Sequence, residues 1–198
     1  MKKIIPALFL AVILCGCAAP VNYTISDRYA KVRPYTIAVL PVEWAEGVPE
    51  DKKISGLFRT MAFERLRATH YRLVPLDAVD NVYQKPGRQA SDKVAPSGFG
   101  ADAAVYIRVT GWETGQLGSY ASLKVAAAVE MRSEADAPLW NADYETSERD
   151  ISLDADAVEL SVIKAYEPRI QRFVDAIFST LPQAQAPADE TRFFQWLP

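Results

Sequence analysis

Two cysteines, one histidine and a scatter of carboxylates are the residues of this 198-residue chain whose types could do chemistry. Cys15 and Cys17 form a Cys-Gly-Cys pair, a spacing that suits a redox couple, a pair of metal ligands or covalent modification of one thiol. Zinc prefers four ligands, and with no further thiol and His70 as the lone imidazole the pair cannot complete that shell. His70 stands where a helix is expected to end, a place where an imidazole satisfies the helix dipole, although the residue type also suits a general base. Glu43 and Asp102 lie beside apolar runs and are the carboxylates that acid/base work would use; a solvated loop carboxylate is the default reading of each. Asp143, Glu145, Glu148 and Asp150 read as an acidic strand face that could bind a divalent cation, against a default of plain solvation. The patterns GxGxxG, GxxxxGKS/T and GxSxG do not occur, so dinucleotide, P-loop and hydrolase-elbow chemistries lack their signature. The expectation is a chain that is not an enzyme, with no catalytic residues, no metal and no cofactor.

The cysteines follow Lys2-Lys3 and an apolar run from Ile4 to Leu14, the parts of a secretory signal peptide. That run is too short for a permanent membrane helix, which needs roughly 20 apolar residues. Its exit, Leu14-Cys15-Gly16-Cys17, resembles the bacterial lipobox, with Leu three residues before a cysteine and a small residue immediately before it. The resemblance implies cleavage between Gly16 and Cys17, acylation of Cys17 and loss of Cys15 with the signal. Taking Cys15 as the lipid site would put Leu14 where the small residue belongs. Ala18 after the acylated cysteine, rather than Asp, implies sorting to the outer membrane, and several acyl chains on one residue anchor stably where one would be marginal. A simple secretory signal with incidental cysteines is the alternative.

Charge and size narrow the class. Lys and Arg number 22 against 25 Asp and Glu, a net charge of −3, and removal of Lys2 and Lys3 with the signal makes it −5. An acidic balance argues against nucleic acid, whose binders need basic surface to displace counterions. With 49% hydrophobic residues the chain is globular rather than disordered, and its length fits one domain that needs no disulfide or metal staple.

The elements that must position any site read as follows. Residues 1–16 are a signal peptide, 17–34 a lipidated tether that is polar and aperiodic, with its later half free to pack on the body, 35–181 a single globular domain, and 182–198 a linker and aromatic tail. YTIAVLPVEW at 35–44 reads as a buried strand carrying Pro41. After Glu50-Asp51, acidic residues expected in a first helical turn, Ile54, Leu57, Phe58, Met61, Ala62 and Leu66 recur at helical spacing up to about His70. YRLVPL at 71–76 reads as a second strand and 76–83 as a short helix; strand, helix, strand is the unit that makes parallel pairs. Residues 85–100, rich in Pro and Gly, read as a loop. Alternating strands are expected at 101–112, 120–131 and 138–146, an antiparallel three-strand meander with one wet face. A helix from about 155 to 181, kinked or restarted at Pro168, keeps Tyr166, Ile170, Phe173, Val174, Ile177, Phe178 and Leu181 on one face. The fold class is α+β: a mixed sheet with a strand-helix-strand opening, the meander, and a C-terminal helix packed on one face. An exposed sheet edge leaves a homodimer open.

TIAVLPV at 36–42 and GFGADAAVYIRVTGW at 98–112 together resemble the hallmark segments of a family of bacterial lipoproteins of unknown function, often found with curli-secretion-type lipoproteins. The order of elements is also similar to that of the amino-terminal domain of TolB and of the lipoprotein activators of penicillin-binding proteins. The resemblance covers nearly all of 35–181, brings no catalytic residues, and does not account for the tail.

In that tail, Phe193, Phe194, Trp196 and Leu197 put four large apolar residues within eight, to dock on the chain's own body, on a partner, or on a membrane surface. The expected function is an outer-membrane lipoprotein facing the periplasm: a non-enzymatic accessory or assembly factor of an envelope or secretion complex, with other envelope lipoproteins or secretion components as partners and the membrane held through its acyl chains. An activator of peptidoglycan synthesis is the alternative within the same compartment; a small-ligand carrier or hydrolase is the alternative of another class.

Overall fold

A computed structural model describes residues 20–83, 94–117, 120–151 and 162–186. Its centre is a seven-stranded mixed sheet. The elements in chain order are β1 (Asn22–Ile25), α1 (Asp27–Val32), β2 (Thr36–Val39), β3 (Glu43–Trp44), α2 (Lys52–Ala68), β4 (Arg72–Leu73), α3 (Leu76–Tyr83), a single 3₁₀ turn (Pro96–Phe99), β5 (Ala103–Leu117), β6 (Tyr120–Ser133), β7 (Pro138–Ile151) and α4 (Val162–Phe178). Strands run in the order β1-β7-β6-β5-β2-β4, with β3 beside β5. β2 is parallel to both β4 and β5, while β5, β6, β7 and β1 pair antiparallel. The α+β class, the strand-helix-strand opening, the meander and the C-terminal helix are as expected. Among the described residues no helix is long and apolar enough to cross a membrane.

The apolar run at 35–44 is two strands rather than one. Pro41 has no N–H to give a ladder, so β2 stops at Val39 and pairing with β5 resumes at Glu43↔Arg108 and Trp44↔Val109. β4 is only two residues long, which leaves the Val39 carbonyl beyond its end. The Arg59 guanidinium of α2 fills that gap, donating from Nε and Nη2 at 3.2 and 3.1 Å while Nη1 meets Asp80 of α3 at 2.6 Å. α2 starts one residue later than its acidic signal: Asp51 is the N-cap, its carboxylate accepting from the N–H of Lys53 and Ile54 at 2.8 and 3.2 Å. α4 is one helix through Pro168, with no restart there.

Period-two alternation sends Val105, Ile107, Val109, Leu123, Val125, Ala127, Val129, Met131, Trp140 and Ala142 to one face, where α2 and α4 bury them. A bulge between Val109 and Gly111 inserts Thr110 into β5, which re-aims the residues after it. Trp112 therefore joins the core face and meets Trp44, Phe58 and Tyr166 edge-on at 6.2, 6.3 and 5.9 Å between centroids. Among the described residues the other face is covered at its parallel end. There α3 and the 3₁₀ turn bury Ala38, Leu40, Val74, Val79, Ala101 and Ala104, and over the meander no other described element packs on that face.

Within the segment read as tether, residues 22–32 pack on the body, in line with a later half free to do so. Asn22–Ile25 adds to β7 as an edge strand, in register Asn22↔Asp143 to Ile25↔Trp140, and Asp27–Val32 is helical. Pairing with β7, more than a hundred residues later in the chain, holds a segment too short and too polar to declare itself by periodicity.

Candidate functional site

The carboxylates singled out in the sequence are occupied by structural partners or stand apart. Asp102 accepts from the backbone N–H of Tyr35 and Thr36 at 3.1 and 2.7 Å, while its own N–H donates to the Thr36 carbonyl at 2.8 Å. It thus locks the entry of β2 to that of β5. Gly100, at φ +70°, makes the turn that delivers it. Glu43 forms an exposed ion pair with Arg108 at 3.1 Å. Lys124 lies between Glu145 at 3.1 Å and Glu113 at 3.8 Å, and the hydrogen bond it donates to Glu145 raises its pKa. Asp143 and Glu145 register with Ala128 and Ala126, whereas Glu148 and Asp150 register with Leu123 and Ala121. The two pairs fall at positions of opposite parity on β7, so the four do not make the single acidic face expected of them. Among the described residues no group of three or more His, Cys, Asp or Glu is placed to hold a metal ion. His70 is exposed at φ +70°, just past the Thr69 C-cap, its N–H donating to the Arg67 carbonyl at 3.1 Å; it ends a helix, as its position suggested.

Cys17, Phe193, Phe194, Trp196 and Leu197 lie outside the described residues, as does most of the 85–100 loop. The structure does show where the chain leads toward each end. Both lead to one corner. β1 hands over to α1 through Ser26, whose N–H donates to the Leu139 carbonyl at 2.9 Å and whose Oγ accepts from Arg28 N–H at 3.3 Å. α1 closes at Arg33, left-handed at φ 46°, whose N–H returns to the Tyr29 carbonyl at 2.9 Å. Tyr29 is the residue of α1 that reaches inward: its hydroxyl hydrogen-bonds that of Tyr71. Tyr71 in turn donates to the Pro182 carbonyl at 2.7 Å, and the Ala184 N–H donates to the Thr69 carbonyl at 3.1 Å. The β1–α1 segment, the end of α2 and the segment at 182–184 are therefore tied around one phenol. Burial pushes the Tyr71 pKa well above that of a free phenol, and the neighbouring Tyr29 hydroxyl pushes the same way; Tyr29 is raised too, by burial.

This corner escaped the sequence reading. Tyr23, Thr24 and Ile25 are strand-favouring types, and Ser26 is a good N-cap; those two signals side by side were the available clue.

No protein-family model and no curated protein matches the chain. Among solved structures it is similar to the lipoprotein GNA1162 from Neisseria meningitidis, at 23% identity and a TM-score of 0.48 over 70% of this chain and 99% of that one. It is similar to a PelC dodecamer subunit from Paraburkholderia phytofirmans, at 16% identity and a TM-score of 0.42 over 76% of this chain and 96% of that one. It is also similar to a minor lipoprotein from Acinetobacter baumannii, at 11% identity and a TM-score of 0.35 over 76% of this chain and 96% of that one. At these values no activity or partner carries across.

Proposed function

We propose that this chain is a lipoprotein held by acylated Cys17 at the periplasmic face of the outer membrane, serving as a non-enzymatic accessory or assembly factor of an envelope complex. One observation carries the reading: the basic, apolar and Leu14-Cys15-Gly16-Cys17 segments follow one another in the order and spacing of a lipoprotein signal. The folded body supports it by starting close behind. Four residues separate Cys17 from Asn22, the first residue of β1, at most about 17 Å of extended chain. A body held so short works at the membrane surface, within reach of neighbours in the same leaflet. That length also weighs against an activator of peptidoglycan synthesis, which needs a long tether to reach enzymes of the opposite membrane. The segment at Pro182 and Ala184 is tied to the same corner, and beyond it Phe193, Phe194, Trp196 and Leu197 supply aromatic anchors for the partner.

Intact-mass spectrometry of protein extracted from envelopes tests the anchor. The expected chain begins at residue 17 and carries acyl mass, and Cys17→Ser releases it from the membrane pellet. A mature chain that starts elsewhere without added mass sinks the reading. Crosslinking in intact cells from position 196 tests the partner: bands tracing to one envelope protein support the accessory role, and exclusively intramolecular products count against it.

A further inference from the structure

Among the described residues the large apolar side chains that stand exposed are Tyr23 (54%), Ile25 (41%) and Val32 (43%). All three fall in the twelve residues 22–33 of the β1–α1 corner and its C-cap. Tyr23 and Ile25 share one face of β1, set in register against the buried Ala142 and Trp140, and they lie past the edge of what the helices cover. On α1, Arg28, Lys31 and Val32 follow the i, i+3, i+4 spacing of one helical face, and Tyr29 occupies the inward one. Arg28, Lys31 and Arg33 are all exposed, so against Asp27 the corner carries a local charge of +2 in a mature chain of −5. Exposed apolar residues and exposed cations gathered in one short segment of an otherwise acidic molecule match the chemistry of an anionic lipid surface. Tyr settles at the headgroup level and Arg and Lys reach phosphates with their stems on apolar surface.

We propose that the β1–α1 corner seats directly on the phospholipid surface that holds the acyl chains, so that Tyr23, Ile25 and Val32 enter the headgroup region and Arg28, Lys31 and Arg33 meet lipid phosphates. The proposal rests on acylation of Cys17, because chain length then selects the occupant. Tyr23 is six residues from that cysteine, so it lies within about 20 Å of the anchored atom even with the chain fully extended. A second anchoring point turns a ball on a string into an oriented body. The corner side faces the bilayer, and the opposite edge of the sheet, at β4 and α3, faces the periplasm.

The test uses the full mature chain, in which acylation consumes the one native thiol. Single cysteines at Tyr23→Cys, at Val32→Cys and, as control beside the opposite sheet edge, at Ala78→Cys are labelled with an environment-sensitive fluorophore. Each protein is reconstituted into phosphatidylcholine vesicles with or without phosphatidylglycerol, after its acyl mass has been measured. The expected result is a blue shift at 23 and 32 and none at 78, larger with the anionic lipid. Equal emission from all three sites on acylated protein overturns the proposal and leaves the anchor intact. A shift at 23 and 32 that appears in lipid-free detergent and grows with protein concentration also overturns it, assigning the patch to a second copy through the β1 edge. If the mass shows no acylation, the labelled chains in a Cys17→Ser background are added to preformed vesicles. Binding with the same site pattern keeps the patch while the anchor reading fails; no binding overturns both. In that background, replacing Arg28, Lys31 and Arg33 by Gln is expected to weaken partitioning onto anionic vesicles roughly tenfold to a hundredfold.

Discussion

The chain builds a strand followed by a capped helix twice in succession, and the two units end up on opposite sides of the burial ledger. β1 is exposed at all four positions and α1 buries no residue, whereas β2 is buried at all four and α2 buries Ile54, Phe58, Met61, Ala62 and Leu66. Local chemistry does not separate them, since Ser26 and Asp51 are both good caps and both strands hold β-formers. Position in the sheet does. β2 lies between β4 and β5 with apolar layers on both faces, while β1 is an edge with one neighbour. The first unit is attached to the body; the second is the body. A segment that contributes little to global stability is free to carry exposed apolar and basic side chains, which a core unit could not tolerate.

The widest gap between the units is expected from Phe58. It is 1% exposed and meets Trp112 and Phe173 edge-on at 6.3 and 5.8 Å. Phe58→Ala is expected to cost about 3 to 5 kcal/mol in denaturant unfolding. Ile25→Ser, in the other unit, is expected to stay within about 0.5 kcal/mol. Similar losses from the two would break the comparison, because β1 would then belong to the core.

Next in size is the clamp that joins β2 to β5. Asp102→Ala strands the N–H groups of Tyr35 and Thr36 and is expected to cost about 1 to 2 kcal/mol. Asp102→Asn, which keeps an acceptor oxygen, is expected to recover part of that. A variant as stable as the parent would show that β2 needs no such lock.

Asp102 also marks the limit of what could be read in the sequence. The alternation of β5 to β7, the face of α2 and that of α4 were legible because period and burial coincide over many residues. The split of β2 from β3 was not, although Pro41 was visible, because a strand interrupted for a few residues keeps its apolar composition. The bulge at Thr110 hides similarly, since Gly111 and Trp112 continue an unbroken run, and the shift of Trp112 to the core face has no signature in residue type. Asp102 read as a loop carboxylate because its partners are backbone groups more than sixty residues away. Of the candidate site, Cys17 and its lipobox-like motif lie outside the described residues. The corner was not legible, because β1 exists only through its pairing with β7 and read alone is four residues of loop.

The tie between corner and body is sharpened by pH. The Tyr71 phenol ionises above its ordinary value in the folded chain, owing first to burial and then to Tyr29. Between the unfolded value of about 10 and the higher folded one, the folded state binds more protons, so stability falls as pH rises. The contribution is whole below about pH 10 and is lost progressively above it. Tyr71→Phe removes the bond to Pro182 and the contact with Tyr29; it is expected to cost about 1 kcal/mol near neutrality. The same variant should flatten the alkaline decline relative to the parent, as read from denaturation midpoints across that range. A decline of equal slope in both proteins would place the alkaline sensitivity elsewhere, Tyr29 and Tyr106 being the other phenols raised by burial.

The smallest difference is the most direct comparison of the two units, because it makes the same change at the same position of each. Asp51→Ala removes the acceptor for two N–H groups at the start of a helix on which the core depends, and should lower global stability by about 1 kcal/mol. Ser26→Ala removes an exposed acceptor at 3.3 Å from a six-residue helix that buries nothing. Its cost should be a few tenths of a kcal/mol, below the resolution of a global melt. Hydrogen exchange separates the two cases. Asp51→Ala should speed exchange across α2 and the core strands together, whereas Ser26→Ala should speed only the amides of α1 and leave β2 unchanged. If Ser26→Ala instead loosens the sheet as a whole, the corner is coupled to the core more tightly than its exposure implies. Seating it on a membrane would then stabilise the entire body rather than merely orient it.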